Sequence, residues 1–140
     1  MKNTLKNMTM YLGFVFLIFS AAACKDDGYS KLSEKDQEII NSRRDRIKPN
    51  LPYYSDRFIK NGMALEIGAE KNYEEVYRNY EFYEAKYDEN KRVIEFKTYE
   101  KGEISFMERY FYDEKTQKLL KKEIYKPYVE NKKPEVKIFN

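Results

Sequence analysis

Tyrosine followed by an acid and a polar cluster recurs along the C-terminal half of this 140-residue chain. Tyr87-Asp88-Glu89-Asn90-Lys91-Arg92 is echoed by Tyr112-Asp113-Glu114-Lys115-Thr116-Gln117 and again by Tyr128-Val129-Glu130-Asn131-Lys132-Lys133. Tyr99-Glu100-Lys101-Gly102 sits between the first two, so the tyrosines stand 12, 13 and 16 residues apart. Each tyrosine closes a run of mixed apolar and polar residues, and each polar cluster can turn the chain. That rhythm is expected of an antiparallel meander. Strands are expected near 79–87, 92–99, 104–112, 118–126 and 135–139. Fourteen Tyr and nine Phe, with no Trp, suit a pleated and half-buried surface.

The register of the central hairpin depends on its turn. A three-residue turn over Glu100-Lys101-Gly102, with Gly102 left-handed, sets Phe96 against Phe106 and Thr98 against Ile104. Ile94, Phe96, Ile104, Phe106, Tyr110 and Tyr112 then share a face, opposite Glu95, Lys97 and Arg109. A two-residue turn places Glu95 beside Glu108, a like-charge pair, so the three-residue form is expected.

Upstream, Ser33 with Asp36 three residues on reads as a helix start, and Pro49 as a stop. Glu34 and Asp36 suit the positive helix end, and Arg43, Arg44, Arg46 and Lys48 the negative one. A helix is expected over about 34–47, with Ile40 and Ile47 on one thin apolar face and the basic cluster in solvent or near anionic headgroups. Residues 48–56, holding Pro49 and Pro52, read as a loop. Asn61-Gly62 predicts a hairpin between Arg57-Phe58-Ile59 and Met63–Ile67, because both positions accept positive φ. Tyr73, Val76, Tyr77 and Tyr80 fit a helical stripe, while the dense aromatics favour strand from Tyr77 onward.

Before all this, Lys2 and Lys6 precede a stretch from Asn7 to Ala23 that carries no charge and is densest in apolar residues at Met10–Phe19. The order is that of a secretory signal. A spanning helix needs about 20 apolar residues, and this run is shorter and diluted by Asn7, Thr9, Gly13 and Ser20. Cys24, the only cysteine, follows Ala21-Ala22-Ala23. A lone cysteine in an exported chain has no partner within the chain, and a free thiol in an oxidising compartment is reactive.

Ala21-Ala22-Ala23-Cys24 resembles a bacterial lipobox, with Ala21 where the pattern usually has Leu. The resemblance implies that residues 1–23 are cleaved and that Cys24 carries acyl chains into the membrane. The other reading is a plain signal cut after the small residues. Lys25-Asp26-Asp27 is similar to the export tag of Bacteroidota-type surface lipoproteins, which implies an outer-membrane protein facing the cell surface. A solvated charged tether over residues 24–31 is the plainer reading. Residues 32–140 are then one small domain. Its fold class is mainly β (α+β), an antiparallel β-meander over about 57–139 preceded by one short helix. The Tyr-acid-turn spacing also resembles YD-type repeats of bacterial surfaces, which bears on architecture alone.

Loss of residues 1–23 removes Lys2, Lys6 and no acid, so the formal charge falls from +3 to +1. A nucleic-acid surface needs a clustered basic excess, and none is expected as partner. The chain has no His, and so lacks the commonest general base and metal ligand. With Cys24 committed to lipid, neither a common Ser or Cys triad nor a zinc site can be assembled. No Ser-x-x-Lys, Gly-x-Ser-x-Gly or phosphate-cradling glycine loop is present. Asp88-Glu89 and Asp113-Glu114 lack the spacing and glycine of a calcium loop and read as turn residues. With 24 acids, a pair of carboxylates at glycosidase spacing is expected by chance. The chain reads as a non-enzymatic protein with no cofactor and no metal.

Two functions remain. One is a binding or structural module whose aromatic face (Tyr73, Tyr77, Tyr80, Phe82, Tyr83, Tyr110, Phe111, Tyr112, Tyr125 and Tyr128) meets a glycan or a protein, with Tyr80, Phe82, Tyr83, Tyr110, Tyr112 and Tyr125 as the foremost contacts. The other is an inhibitor or immunity-type lipoprotein, with a charge patch matched to one partner.

Overall fold

A computed structural model describes residues 32–140. The expected signal over 1–23, the expected tether over 24–31, and Cys24, Lys25, Asp26 and Asp27 with them lie outside the described residues. The fold is mostly β and antiparallel. A helix, α1 (Glu34–Arg43), leads into a short strand β1 (Tyr53–Ser55) and the hairpin β2 (Phe58–Asn61) and β3 (Ala64–Ile67). A single helical turn, α2 (Tyr73–Val76), precedes the meander β4 (Glu81–Tyr87), β5 (Val93–Glu100), β6 (Glu103–Tyr112), β7 (Leu119–Tyr125) and β8 (Glu135–Ile138). The large sheet has the order β1-β4-β5-β6-β7-β8, and β2-β3 forms a separate two-stranded sheet.

The five meander strands stand where the tyrosine rhythm puts them, each within two residues. The physical reason lies in the turns. Asp88 Oδ1 accepts from the Arg92 N–H at 2.9 Å, and Asp113 Oδ1 accepts from the Lys115 N–H at 2.7 Å. Each aspartate thus holds its own turn, and a later residue of each turn takes a positive φ, Lys91 at 64° and Gln117 at 63°. Asn131, in the third cluster, does the same at 63°.

Three local expectations are corrected. The β5–β6 turn has two residues, Lys101 and Gly102, at φ 52° and 79°. The like-charge clash is avoided by a bulge: Tyr99 pairs with Ile104, but Thr98 pairs with Phe106, so Glu95 meets Arg109 and not Glu108. One extra residue therefore leaves Phe96 and Phe106 on a common face, while Ile104 moves to the other face beside Tyr99. A second bulge, where Lys86 pairs with Glu95 and Tyr87 with Val93, brings Val93 into the core in place of Ile94. In the β2–β3 hairpin Asn61 pairs with Ala64, so Gly62 (φ 61°) and Met63 form the turn. Asn61 is the last strand residue, and its side-chain amide donates to Glu66 at 2.9 Å.

Two segments differ in kind. Tyr73–Val76 is helical and Tyr77–Asn79 continues as turn, so the strand begins at Glu81. Tyr53–Ser55, inside the expected loop, is an edge strand paired with β4. An edge position tolerates the nearby Pro52, whose missing N–H costs no ladder bond there.

The hairpin and α1 cover one face of the sheet. Tyr83, Ala85, Tyr87, Val93, Phe96 and Tyr110 pack there with Ala64, Ile67 and Ile47. Polar ties cross this layer. Lys122 Nζ donates to the Met63 carbonyl at 3.0 Å and lies 3.2 Å from Glu108. Tyr110 donates to Glu108 at 2.5 Å and accepts from the Leu65 N–H at 2.8 Å.

Helix α1 begins as expected, with Ser33 Oγ accepting from the Asp36 N–H at 3.1 Å. Its regular part ends at Arg43, and the next turn brings Ile47 to the core. Arg43 is not a solvent residue. It is 1% exposed and donates to the Gly68 and Ile67 carbonyls at 2.6 and 2.7 Å. A guanidinium on a long stem can reach two backbone acceptors at once, and this one ties α1 to the end of β3.

Candidate functional site

The other face of the sheet is built from residues that alternate with the core set. Tyr54 pairs with Glu84, Phe82 with Tyr99, Glu84 with Lys97 and Lys97 with Met107. These side chains therefore point the same way, in an aromatic end and a charged middle.

At the aromatic end, α2 lies against the sheet. Phe82 and Tyr99 stack at 4.6 Å between centroids and 3° between planes. Tyr73 meets the edge of Phe82 at 6.2 Å and lies 5.2 Å from Tyr54. Tyr73 and Tyr77, four residues apart and so on one side of the helical turn, stack at 5.5 Å and 26°. The ladder runs from a buried base (Phe82, 2% exposed) to a wet top, with Tyr73 48% and Tyr77 39% exposed; Tyr80, 61% exposed, makes no ring contact with it among the described residues. Arg78 lies over the Tyr77 ring at 5.2 Å, and Lys101 over Tyr80 at 5.7 Å, each a cation on a π-face.

In the charged middle, Lys97 stands 3.0 Å from Glu95 and 3.3 Å from Glu84, and Arg109 lies 3.4 Å from Glu95. Tyr99 donates to Glu84 at 3.3 Å. Burial pulls the Lys97 ammonium pKa down, but its two carboxylate neighbours outweigh that and raise it. The amine is held charged and is no nucleophile near neutral pH. Burial, then the Glu84 charge, pushes the Tyr54 phenol up to about 12 and Tyr99 up as well. These groups neutralise one another, which suits a rigid floor more than proton transfer.

Of the six aromatics expected as foremost contacts, Tyr80 is the exposed one. Phe82, Tyr83 and Tyr110 are buried, and Tyr112 and Tyr125 are partly buried. Tyr83 and Tyr110 face the covered side, and Phe82 lies under Tyr73. The structure thus scatters the set over both faces. Tyr73 and Tyr77 are exposed as Tyr80 is. Their spacing of four, read as a helical stripe instead of strand, was the signal for them. Comparison with known proteins finds no matching family model, no matching curated protein and no matching solved structure.

Proposed function

We propose that the chain is an exported lipoprotein, held in the outer membrane by acyl chains on Cys24 and presented at the cell surface, with a non-enzymatic binding module as its domain. The leader and lipobox resemblance support the anchor, and Lys25-Asp26-Asp27 supports the outward address. The observation that carries the binding role is the exposed pair Tyr73 and Tyr77, seated on a stacked ladder, with the exposed Tyr80 a few residues on.

Exposed rings already ordered by packing lose little entropy on binding. Phenol hydroxyls and the Arg78 and Lys101 cations supply polar contacts around them. That combination suits a glycan, whose C–H faces lie on rings and whose hydroxyls need donors and acceptors. An inhibitor of one partner protein calls for a charge patch free to meet it. On this face the charges of Glu84, Glu95, Lys97 and Arg109 are spent on each other.

The test is a binding screen of the full chain against cell-wall and host-type polysaccharides, comparing wild type with Tyr73→Ala/Tyr77→Ala/Tyr80→Ala. A loss of about tenfold or more in affinity with unchanged melting is expected, at roughly 1–3 kcal/mol per aromatic anchor. Undiminished binding by the triple variant contradicts the platform.

A further inference from the structure

On the covered side of the sheet, away from the aromatic platform, a cleft of about 550 Å³ opens between α1, the β2–β3 hairpin and the β4–β5 and β6–β7 turns. Its apolar surface comes from Ile40, Ala64, Val93, Leu119 and Phe139. Phe139 is carried there by β8, whose ladder continues with the Phe139 N–H donating to Leu120 at 2.8 Å. The size lies within the roughly 300–1,000 Å³ of small-molecule sites, and such sites pair apolar walls with a few placed polar groups.

The charged groups here are mostly cationic. Arg44, Lys91, Arg92 and Lys118 line the cleft, against Glu66 and the main-chain carboxylate of Asn140. Glu66 is 4% exposed and already occupied, by Asn61 at 2.9 Å and by Arg43 at 3.9 Å. Arg92 is bound to Asp88 at 2.8 Å. Arg44, Lys91 and Lys118 have no ion-pair partner among the described residues. In a domain with near-balanced charge, three uncompensated cations around one apolar hollow are a concentrated field. Lys91 is fixed in place, because its ammonium donates to the Arg44 carbonyl at 2.5 Å and pins the β4–β5 turn to the end of α1.

We propose that this cleft binds a small amphiphile with one anionic head, an alkyl or aryl carboxylate, its head among Arg44, Lys91 and Lys118 and its body on the apolar wall. A neutral or cationic head forgoes the charge-assisted contacts, and a head without a body leaves the wall wet.

The test uses the full chain in phosphatidylcholine nanodiscs, titrated calorimetrically with phenylbutyrate, phenylbutylamine and acetate. Phenylbutyrate is expected to bind at least about tenfold more tightly than either of the others, since one charge-assisted contact is worth about 1.5–3 kcal/mol. The exposed pair Arg44→Glu/Lys118→Glu is expected to lower phenylbutyrate affinity by a similar factor with unchanged melting, and Leu119→Ala to weaken it by a smaller one. Tyr73→Ala/Tyr77→Ala/Tyr80→Ala is expected to leave it unchanged, which separates this site from the platform. Equal binding of the acid and the amine, acetate binding as tightly as phenylbutyrate, indifference to the charge reversals, or no binding at all overturns the proposal.

Discussion

The Lys122 ammonium lies 3.2 Å from the Glu108 carboxylate, on the side of the sheet that the β2–β3 hairpin covers. Both residues are more than nine-tenths buried, and the same ammonium donates to the Met63 carbonyl in the hairpin turn. A buried pair adds little when intact and costs much when halved, because the remaining charge has no water to turn to. Lys122→Met is therefore expected to lower stability by about 3–5 kcal/mol. Adding Glu108→Gln to it is expected to restore part of that loss, since the stranded charge is gone. Urea unfolding of the two variants checks this, and a double variant less stable than the single contradicts it.

The β5–β6 turn places two residues at positive φ, and only one of them is glycine. Gly102 at 79° has open space where a Cβ would stand, so Gly102→Ala meets backbone strain without a clash. The expected cost is about 1 kcal/mol. Lys101→Asn goes the other way, toward the residue such turns favour, and is expected to gain a few tenths of a kcal/mol. Thermal melts of both decide the matter.

Alkaline pH should unfold this domain. Tyr54, Tyr83, Tyr87, Tyr99, Tyr110 and Tyr112 all have raised pKa values, with burial as the largest cause in each. A phenol whose folded pKa lies above its unfolded value of about 10 favours the fold while it stays protonated. That contribution is complete below pH about 10 and is lost as pH climbs through the folded values, of which Tyr54 at about 12 is the lowest. Tyrosinate absorbance from these six should therefore rise together with loss of β circular dichroism. Ionisation of nearly all tyrosines with the sheet intact contradicts the burial.

The meander was legible because its punctuation is chemical. Asp88 and Asp113 hold their turns through their own carboxylates, and a tyrosine before each closes a strand. Register was less legible. A bulge adds one residue without a marker, and it sent Ile104 to one face and Phe106 to the other while sparing Glu95 from Glu108. Arg43 looked like a cation at a helix end, and nothing nearby in sequence revealed the Ile67 and Gly68 carbonyls 24 and 25 residues away. The platform was half legible. Tyr73, Tyr77 and Tyr80 stand among the expected aromatics and are exposed, but Phe82 and Tyr83, neighbours pointing to opposite faces, are both buried because α2 covers one and the hairpin side covers the other.

The central claim is that Cys24 tethers this domain to the membrane and that Lys25-Asp26-Asp27 sends it outward. Protease shaving of intact cells tests it most directly, comparing wild type with Cys24→Ala and with Lys25, Asp26 and Asp27 all changed to Ala. The account predicts that wild type is digested, that the charge variant stays membrane-bound but protected, and that Cys24→Ala leaves the membrane fraction. Protection of wild type, or a Cys24→Ala protein still held in the membrane, would contradict it.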